Sequence, residues 1–267
     1  EANVRFLPRS VIKKNRKRKN FSLRIGSSLV EKLLAGREIL VTGSNRGIGL
    51  EVSRLLNKNG AQVIGISRSM PVEKNKDIFI EHYECDFSNL DALNKTIKVI
   101  IKKHHSLNGL ISNAGFGRFG ALETFSIQQI EENINVNLTS HMVIASLLVP
   151  LFKKKKSGDI IFMGSESSIT GAKNGSLYSA AKFGLRGLAQ ALREDCANRS
   201  VRVSIVNPGF VRTEFFKSLD FEPAADKEAA LDPKDVASVI LNILASGAGG
   251  IIEEVLLAPQ KQNILFK

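Results

Sequence analysis

The sequence predicts an α/β fold: a single domain built on a doubly wound parallel sheet of about seven strands, with helices on both faces. Two observations carry this. Short apolar runs recur along the chain with helical patterns between most of them, the order expected of parallel strands joined by crossover helices. The first run also ends in a glycine-rich turn that opens directly into a helical pattern.

Ile39-Leu40-Val41 is the first strand, stopped by Thr42-Gly43, and the following helix places Ile48, Val52, Leu55 and Leu56 on one face. Further strands are expected at Gln62 to Ile66, Ile78 to Tyr83, Gly109 to Ser112, Asp159 to Met163, Val201 to Val206 and Ile251 to Leu257. Helical patterns fall at Leu90 to His104, Ile127 to Phe152, Ser176 to Asn198 and Pro233 to Ala245. Only about ten residues, Pro71 among them, separate the second and third strands, so no full crossover helix is expected there. Lys153 to Lys156 reads as a solvated helix end that complements the helix dipole.

The composition, 267 residues with 43% hydrophobic and 24% charged, excludes collagen, disorder throughout and a disulfide scaffold. Cys85 and Cys196 form at most one bridge, and four scattered histidines lack ligand spacing, so a reduced compartment and no metal are expected. Met142 to Phe152 has about half the length of a membrane span, and none is expected.

The formal charge of +12 is concentrated at the start: Arg5, Arg9, Lys13, Lys14, Arg16, Lys17, Arg18, Lys19 and Arg24 face Glu1 alone within the first 30 residues. Residues 1–35 are therefore set apart as a basic extension, and 36–267 as the folded domain. The extension admits three readings: a disordered tail, an organelle-targeting leader, or a patch for a polyanion. No interleaved aromatics support specific nucleic-acid readout. A cytoplasmic location is expected, or an organelle matrix if the leader is a targeting segment.

Thr42-Gly43-Ser44-Asn45-Arg46-Gly47-Ile48-Gly49 follows a strand and opens a helix, the context of a dinucleotide phosphate loop. Gly43 allows the tight turn, Gly47 the approach of backbone to pyrophosphate, and Gly49 the close packing of helix on strand. At the end of the second strand, Ile66-Ser67-Arg68 offers no acid for a free ribose, whereas Arg68 and Arg46 could clamp a 2′-phosphate. NADP(H) is expected rather than NAD(H). Tyr178 and Lys182 share one helix face four residues apart, where an ammonium would lower the phenol pKa. Ser165 ends the preceding strand, placed to hydrogen-bond a substrate oxygen.

In these motifs and their order, residues 37 to about 257 resemble the short-chain dehydrogenase/reductase family. Asp86 matches its acidic adenine contact, Ser112-Asn113-Ala114-Gly115 its N-N-A-G segment with Ser112 for the first Asn, and Asn137 its catalytic asparagine. Asn207-Pro208-Gly209 with Val211 and Thr213 resembles its nicotinamide loop. The resemblance implies a catalytic set of Asn137, Ser165, Tyr178 and Lys182, the last two also touching cofactor. Tyr178 would act as general acid/base, Lys182 would bind the ribose and depress the Tyr178 pKa, Ser165 would orient the substrate oxygen, and Asn137 would hold a relay water. The implied activity is NADPH-dependent hydride transfer between nicotinamide and a ketone or aldehyde, or a secondary alcohol or hydroxy acid.

A different reading is a non-catalytic NADPH-binding scaffold or sensor whose leader engages a polyanionic partner; an epimerase or dehydratase is a third. The final strand lacks the Asp-Gly-Gly of tetrameric family members, so a homodimer through the Ile127 and Ser176 helices is expected ahead of a homotetramer. Phe210, Phe215, Phe216, Leu219 and Phe221 read either as a lid over an apolar carbonyl substrate or as packing of that lid on the core. Arg118 reads either as a partner for a substrate carboxylate or as a solvent-facing group.

Overall fold

The computed structural model describes residues 27–246 and 249–267; the basic cluster Arg5 to Arg24 lies outside them. Seven parallel strands form the sheet: β1 (Glu38–Thr42), β2 (Gln62–Ser67), β3 (Phe79–Glu84), β4 (Leu107–Ser112), β5 (Gly158–Met163), β6 (Val201–Pro208) and, after a short β7 (Phe221–Pro223), β8 (Glu254–Leu257). Their order is β3-β2-β1-β4-β5-β6-β8. The winding reverses between β1 and β4, and a crevice opens there at the carboxyl ends of the strands.

Alternation along each strand explains the continuous apolar runs. Leu40, Ile64, Ile66, Leu110, Ile160, Phe162, Val203 and Ile205 face one buried cluster, and Ile39, Val41, Val63, Ile111, Ile161, Met163 and Val206 face the other. The first cluster is closed by α3 (Leu90–Lys103), α5 (Ser140–Lys155) and α6 (Ser176–Cys196), with α4 (Ile127–Ile134) packed on α6. The second is closed by α2 (Gly47–Lys58), α7 (Pro233–Leu244) and α1 (Ser27–Leu34). Start signals are local: Asn89 caps α3, Ser126 and Gln129 form a capping box on α4, and Asp232 with Pro233 and Asp235 starts α7.

Several boundaries differ from expectation, each for a tertiary reason. Helix α1 lies within the stretch assigned to the extension, yet Val30 and Leu34 are buried in the second cluster, so folded structure begins before residue 36. The long helix from Ile127 is interrupted by a π-helical turn at Asn135–Thr139. The last sheet strand is only Glu254–Leu257. A 3₁₀ turn, Glu73–Ile78, makes the thin crossover. β7 pairs antiparallel with β9 (Ile264–Phe266), a two-strand patch too short to show a period in sequence. The lysine run is not wholly solvated: Lys155 Nζ donates to the His105 and Leu107 carbonyls, the latter at 2.7 Å. The span Ile127–Lys155 is long and apolar enough to cross a membrane by length and composition, but Ile144, Leu148 and Phe152 are buried against the sheet.

At the amino ends of the strands, buried Asp159 binds two guanidinium groups, Arg37 at 2.7 Å and Arg202 at 2.6 Å, so β5 is tied to the start of β1 and to β6. Removing the carboxylate leaves two largely buried cations unpaired, a change that costs about 3–5 kcal/mol. Asp159→Ala is expected to lower the urea midpoint accordingly, and a loss below about 1 kcal/mol would show the network to be solvated.

Candidate active site

The crevice is closed beneath by a joint between β1 and β4. The buried Thr42 hydroxyl accepts the backbone N–H groups of Asn113 and Ala114, each at 2.8 Å, and Asn113 Nδ2 donates back to the Thr42 carbonyl at 2.9 Å. Gly43 (φ +64°) and Gly47 (φ +56°) hold the left-handed turns of the loop. A Cβ on Gly49 would stand 2.2 Å from the Gly43 carbonyl oxygen, so only glycine lets α2 approach β1. No side chain caps the amino end of α2, where Arg46 is the capping residue, which leaves its first N–H groups for an anion. The loop therefore fits a dinucleotide pyrophosphate, and Ile48 begins the packed face of the helix.

Asn45 Nδ2 donates to Ser69 Oγ at 2.8 Å, drawing the glycine loop to the end of β2, where exposed Arg68 sits. Arg46 turns to Glu214 at 3.0 Å instead, in a pair exposed on both sides and worth under about 1 kcal/mol. Asp86, beyond β3, uses one carboxylate oxygen to accept the Ser88 N–H.

On the other side, Ser165 follows β5, and its oxygen accepts the Ser167 N–H at 3.1 Å, which leaves the hydroxyl hydrogen for another acceptor. Tyr178 and Lys182 are buried on α6. Burial pushes the Tyr178 phenol up to about 12, with the Ser165 hydroxyl acting in the opposite direction. Lys182 Nζ lies over the phenol ring, 5.7 Å from its centroid, and donates to the Met163 carbonyl at 2.9 Å. Burial brings Lys182 itself down to about 8.

Asn137 lies in the π-helical turn: Nδ2 donates to the Phe116 and Asn133 carbonyls, and Oδ1 accepts the Phe116 N–H, each at 3.1 Å. The side chain thus anchors the loop after β4, with one lone pair of Oδ1 left over. A Cβ on Gly115 would meet Asn137 Oδ1 at 2.8 Å and Lys182 Nζ at 3.7 Å, so this glycine is where the β4 loop and the α6 pair converge.

Behind Ser165, Asn207 Oδ1 accepts the Ser165 N–H at 3.3 Å and its Nδ2 donates to Glu254, which also holds Arg186 of α6 through two bonds. Pro208 and Gly209 follow, with Gly209 N–H bound to Leu257; Val211 is buried, and Thr213 caps the turn at Glu214–Phe216. Phe119 and the phenylalanines after Gly209 form one aromatic cluster, with Phe215 on Phe216 and Phe119 on Phe221, each at 5.2 Å between centroids. Phe215 and Phe119 pack on Tyr178 at 5.9 and 5.3 Å between centroids, while Phe210, Phe216 and Phe221 pack on one another. A cavity of about 220 Å³ between Phe116, Phe119 and Leu219 adjoins them. Arg118 pairs with Glu132 at 2.9 Å and stacks on Phe116, so it is neither a free carboxylate partner nor merely solvated.

A model of the short chain dehydrogenase family matches residues 37–223. This chain belongs to that family. It is 33% identical over 184 residues to the 3-oxoacyl-[acyl-carrier-protein] reductase FabG of Buchnera aphidicola subsp. Acyrthosiphon pisum, covering 67% of this chain and 75% of the relative. It is 26% identical over 243 residues to the sepiapterin reductase of Chlorobaculum tepidum, covering 85% and 97%. A metagenomic short-chain oxidoreductase solved in complex with NADP superposes with a TM-score of 0.73 at 29% identity, covering 86% of this chain and 99% of its own.

Two histidines at this site carry no sequence signal by spacing. His82 bridges Ser44 and Ser67, and His141, fully buried on α5, accepts from Ser112 Oγ at 2.7 Å and donates to the Ala114 carbonyl at 3.0 Å. Ser112, which departs from the family's asparagine, thus works through His141, a contact 29 residues away in sequence. Burial pushes His141 down to about 3, so it is neutral with its proton on Nε2. His141→Ala strands a hydroxyl and a carbonyl beside a new cavity and is expected to cost about 3 kcal/mol in chemical denaturation. A change under about 1 kcal/mol would mean that water replaces the ring.

Proposed function

We propose that this short-chain dehydrogenase is an NADPH-dependent reductase of ketones on apolar chains, with a 3-oxoacyl thioester as its first candidate substrate. The observation that carries the reading is the triad of buried Tyr178 and Lys182 with half-buried Ser165, facing the β1–β4 crevice. The 3-oxoacyl reductases among its relatives and the aromatic lid over Tyr178 support the substrate class. Arg118, neutralised by Glu132, weighs against a hydroxy acid held by its carboxylate.

NADP(H) is the cofactor: the glycine loop holds its pyrophosphate, Arg68 its 2′-phosphate, and Asn113, Ala114, Gly115, Lys182 and the Pro208 to Thr213 segment its nicotinamide half. When bound, it supplies hydride to the carbonyl carbon. Ser165 donates its free O–H to the carbonyl oxygen and fixes its position. Tyr178, a neutral phenol that burial holds further from ionisation, gives its proton to that oxygen as the carbonyl becomes an alkoxide. The phenolate left behind draws the Lys182 ammonium from the Met163 carbonyl, and that ammonium stabilises it and returns the proton. Phe119 and Phe215 move off Tyr178 to admit substrate and then exclude water.

Tyr178→Phe is expected to lower the reductive kcat about 10³-fold while NADPH affinity changes less than twofold; unchanged turnover would refute the proton-donor role. With Lys182 near 8, its ammonium is lost as pH rises, so reductive kcat/KM should be level at pH 6–7 and fall through about pH 8. NADPH binding without turnover on any ketone tested would favour the scaffold reading.

The exposed Ile127, Met142 and Phe183 on α4, α5 and α6 are where a second copy would pack. Sedimentation of Phe183→Asp against the parent chain tests this: the dimer should dissociate to monomer, and an unchanged sedimentation coefficient places the contact elsewhere.

A further inference from the structure

We infer that His82 is a positioning residue that sets the preference for a 2′-phosphorylated dinucleotide. The inference rests on the assignment of Arg68 to the 2′-phosphate. His82 stands on β3, outside the catalytic group, and reaches across β2 to the underside of the nucleotide pocket. Its Nε2 lies 3.1 Å from Ser44 Oγ in the glycine loop and 3.0 Å from Ser67 Oγ at the end of β2.

Donor and acceptor roles follow from the surrounding bonds. Ser67 donates its hydroxyl hydrogen to the Ser69 carbonyl at 2.9 Å, so toward His82 it accepts, and the imidazole proton sits on Nε2. Nδ1 is buried without a partner, which is tolerable as a bare lone pair but not as a second N–H. Burial accordingly holds His82 down to about 4, and it acts as a neutral donor at physiological pH.

The ring has been given room for this. A Cβ on Gly65 of β2 would lie 2.2 Å from His82 Cδ2, so a strand interior that elsewhere carries bulky apolar residues carries glycine where the imidazole crosses it. Phe79 fixes the ring from its edge at 5.1 Å.

Arg68 is thus flanked by two pinned residues. Ser67 is held by His82, and Ser69 is held through its carbonyl by Ser67 and through its hydroxyl by Asn45 of the glycine loop. The backbone that aims the guanidinium is set before cofactor arrives, and the two walls of the pocket are spaced by one imidazole. A long side chain on an unpinned turn would lose more entropy on closing around a phosphate.

The test is calorimetric titration of the purified chain with NADPH and NADH, so the readout is affinity rather than turnover. The parent should bind NADPH more tightly; equal affinities would sink the Arg68 assignment and this inference with it. Given that preference, Ser67→Ala and His82→Leu should each lower the NADPH/NADH affinity ratio at least fivefold, with NADH affinity changed less than threefold. The double variant should fall well short of the product of the two single effects, because both remove the Ser67–His82 link. An unchanged ratio in Ser67→Ala would overturn the inference while leaving the Arg68 assignment intact, and this variant decides the matter if His82→Leu does not fold.

Discussion

The joint between Thr42 and the Asn113–Ala114 backbone is the constraint on which the rest of the site depends. It lies where the winding of the sheet reverses, so no neighbouring strand continues the ladder past the carboxyl ends of β1 and β4, and side chains must replace it. A single hydroxyl does so by accepting two N–H groups. With the two strand ends held at that distance, Gly43 and Gly49 can nest on one side, and Gly115 can approach Asn137 and Lys182 on the other. The glycine loop on one side of the crevice and the Asn137 and Lys182 side chains on the other therefore share one fixed point.

A second set of bonds ties Ser165 to β8 and α6. Asn207 links the Ser165 backbone to Glu254, and Glu254 links β8 to Arg186, one helical segment beyond Tyr178 and Lys182 on α6. A Cβ on Gly164 would stand 1.9 Å from the Asn207 oxygen, so the turn that presents Ser165 is shaped by the same amide. Ser165 and Tyr178 arise from different elements, yet both are referenced to β6 and β8. Charge-assisted bonds in a partly buried setting suit this, because breaking one strands its partner in a poor solvent.

What the sequence made legible was what is local. The strands, the glycine loop and Tyr178 with Lys182 are each specified by residues within about one helical turn or one strand of each other. What it hid depends on distant pairs: Ser112 and His141, Ser44 and His82, Arg37 and Asp159, and the β7–β9 patch, all joined only by folding. Asn137 shows the limit of a matched motif. Its position was evident, but the engagement of its amide with the Phe116 backbone was not, since nothing in the local sequence says which loop would cross it. Helix α1 was lost to composition: a basic stretch with no sustained period masked Val30 and Leu34, whose burial needs the second face of the sheet to be present.

The surroundings of Tyr178 bind its hydroxyl to its neighbours. Phe119 and Phe215 pack on the phenol ring, and Lys182, whose Nζ stands over that ring, donates to the Met163 carbonyl. Burial of this kind disfavours the charged phenolate, and the nearby cation that could offset it is held by a backbone acceptor. The covering rings therefore act on more than the shape of the crevice: by desolvating one hydroxyl they make its charged form dependent on the position of a single ammonium.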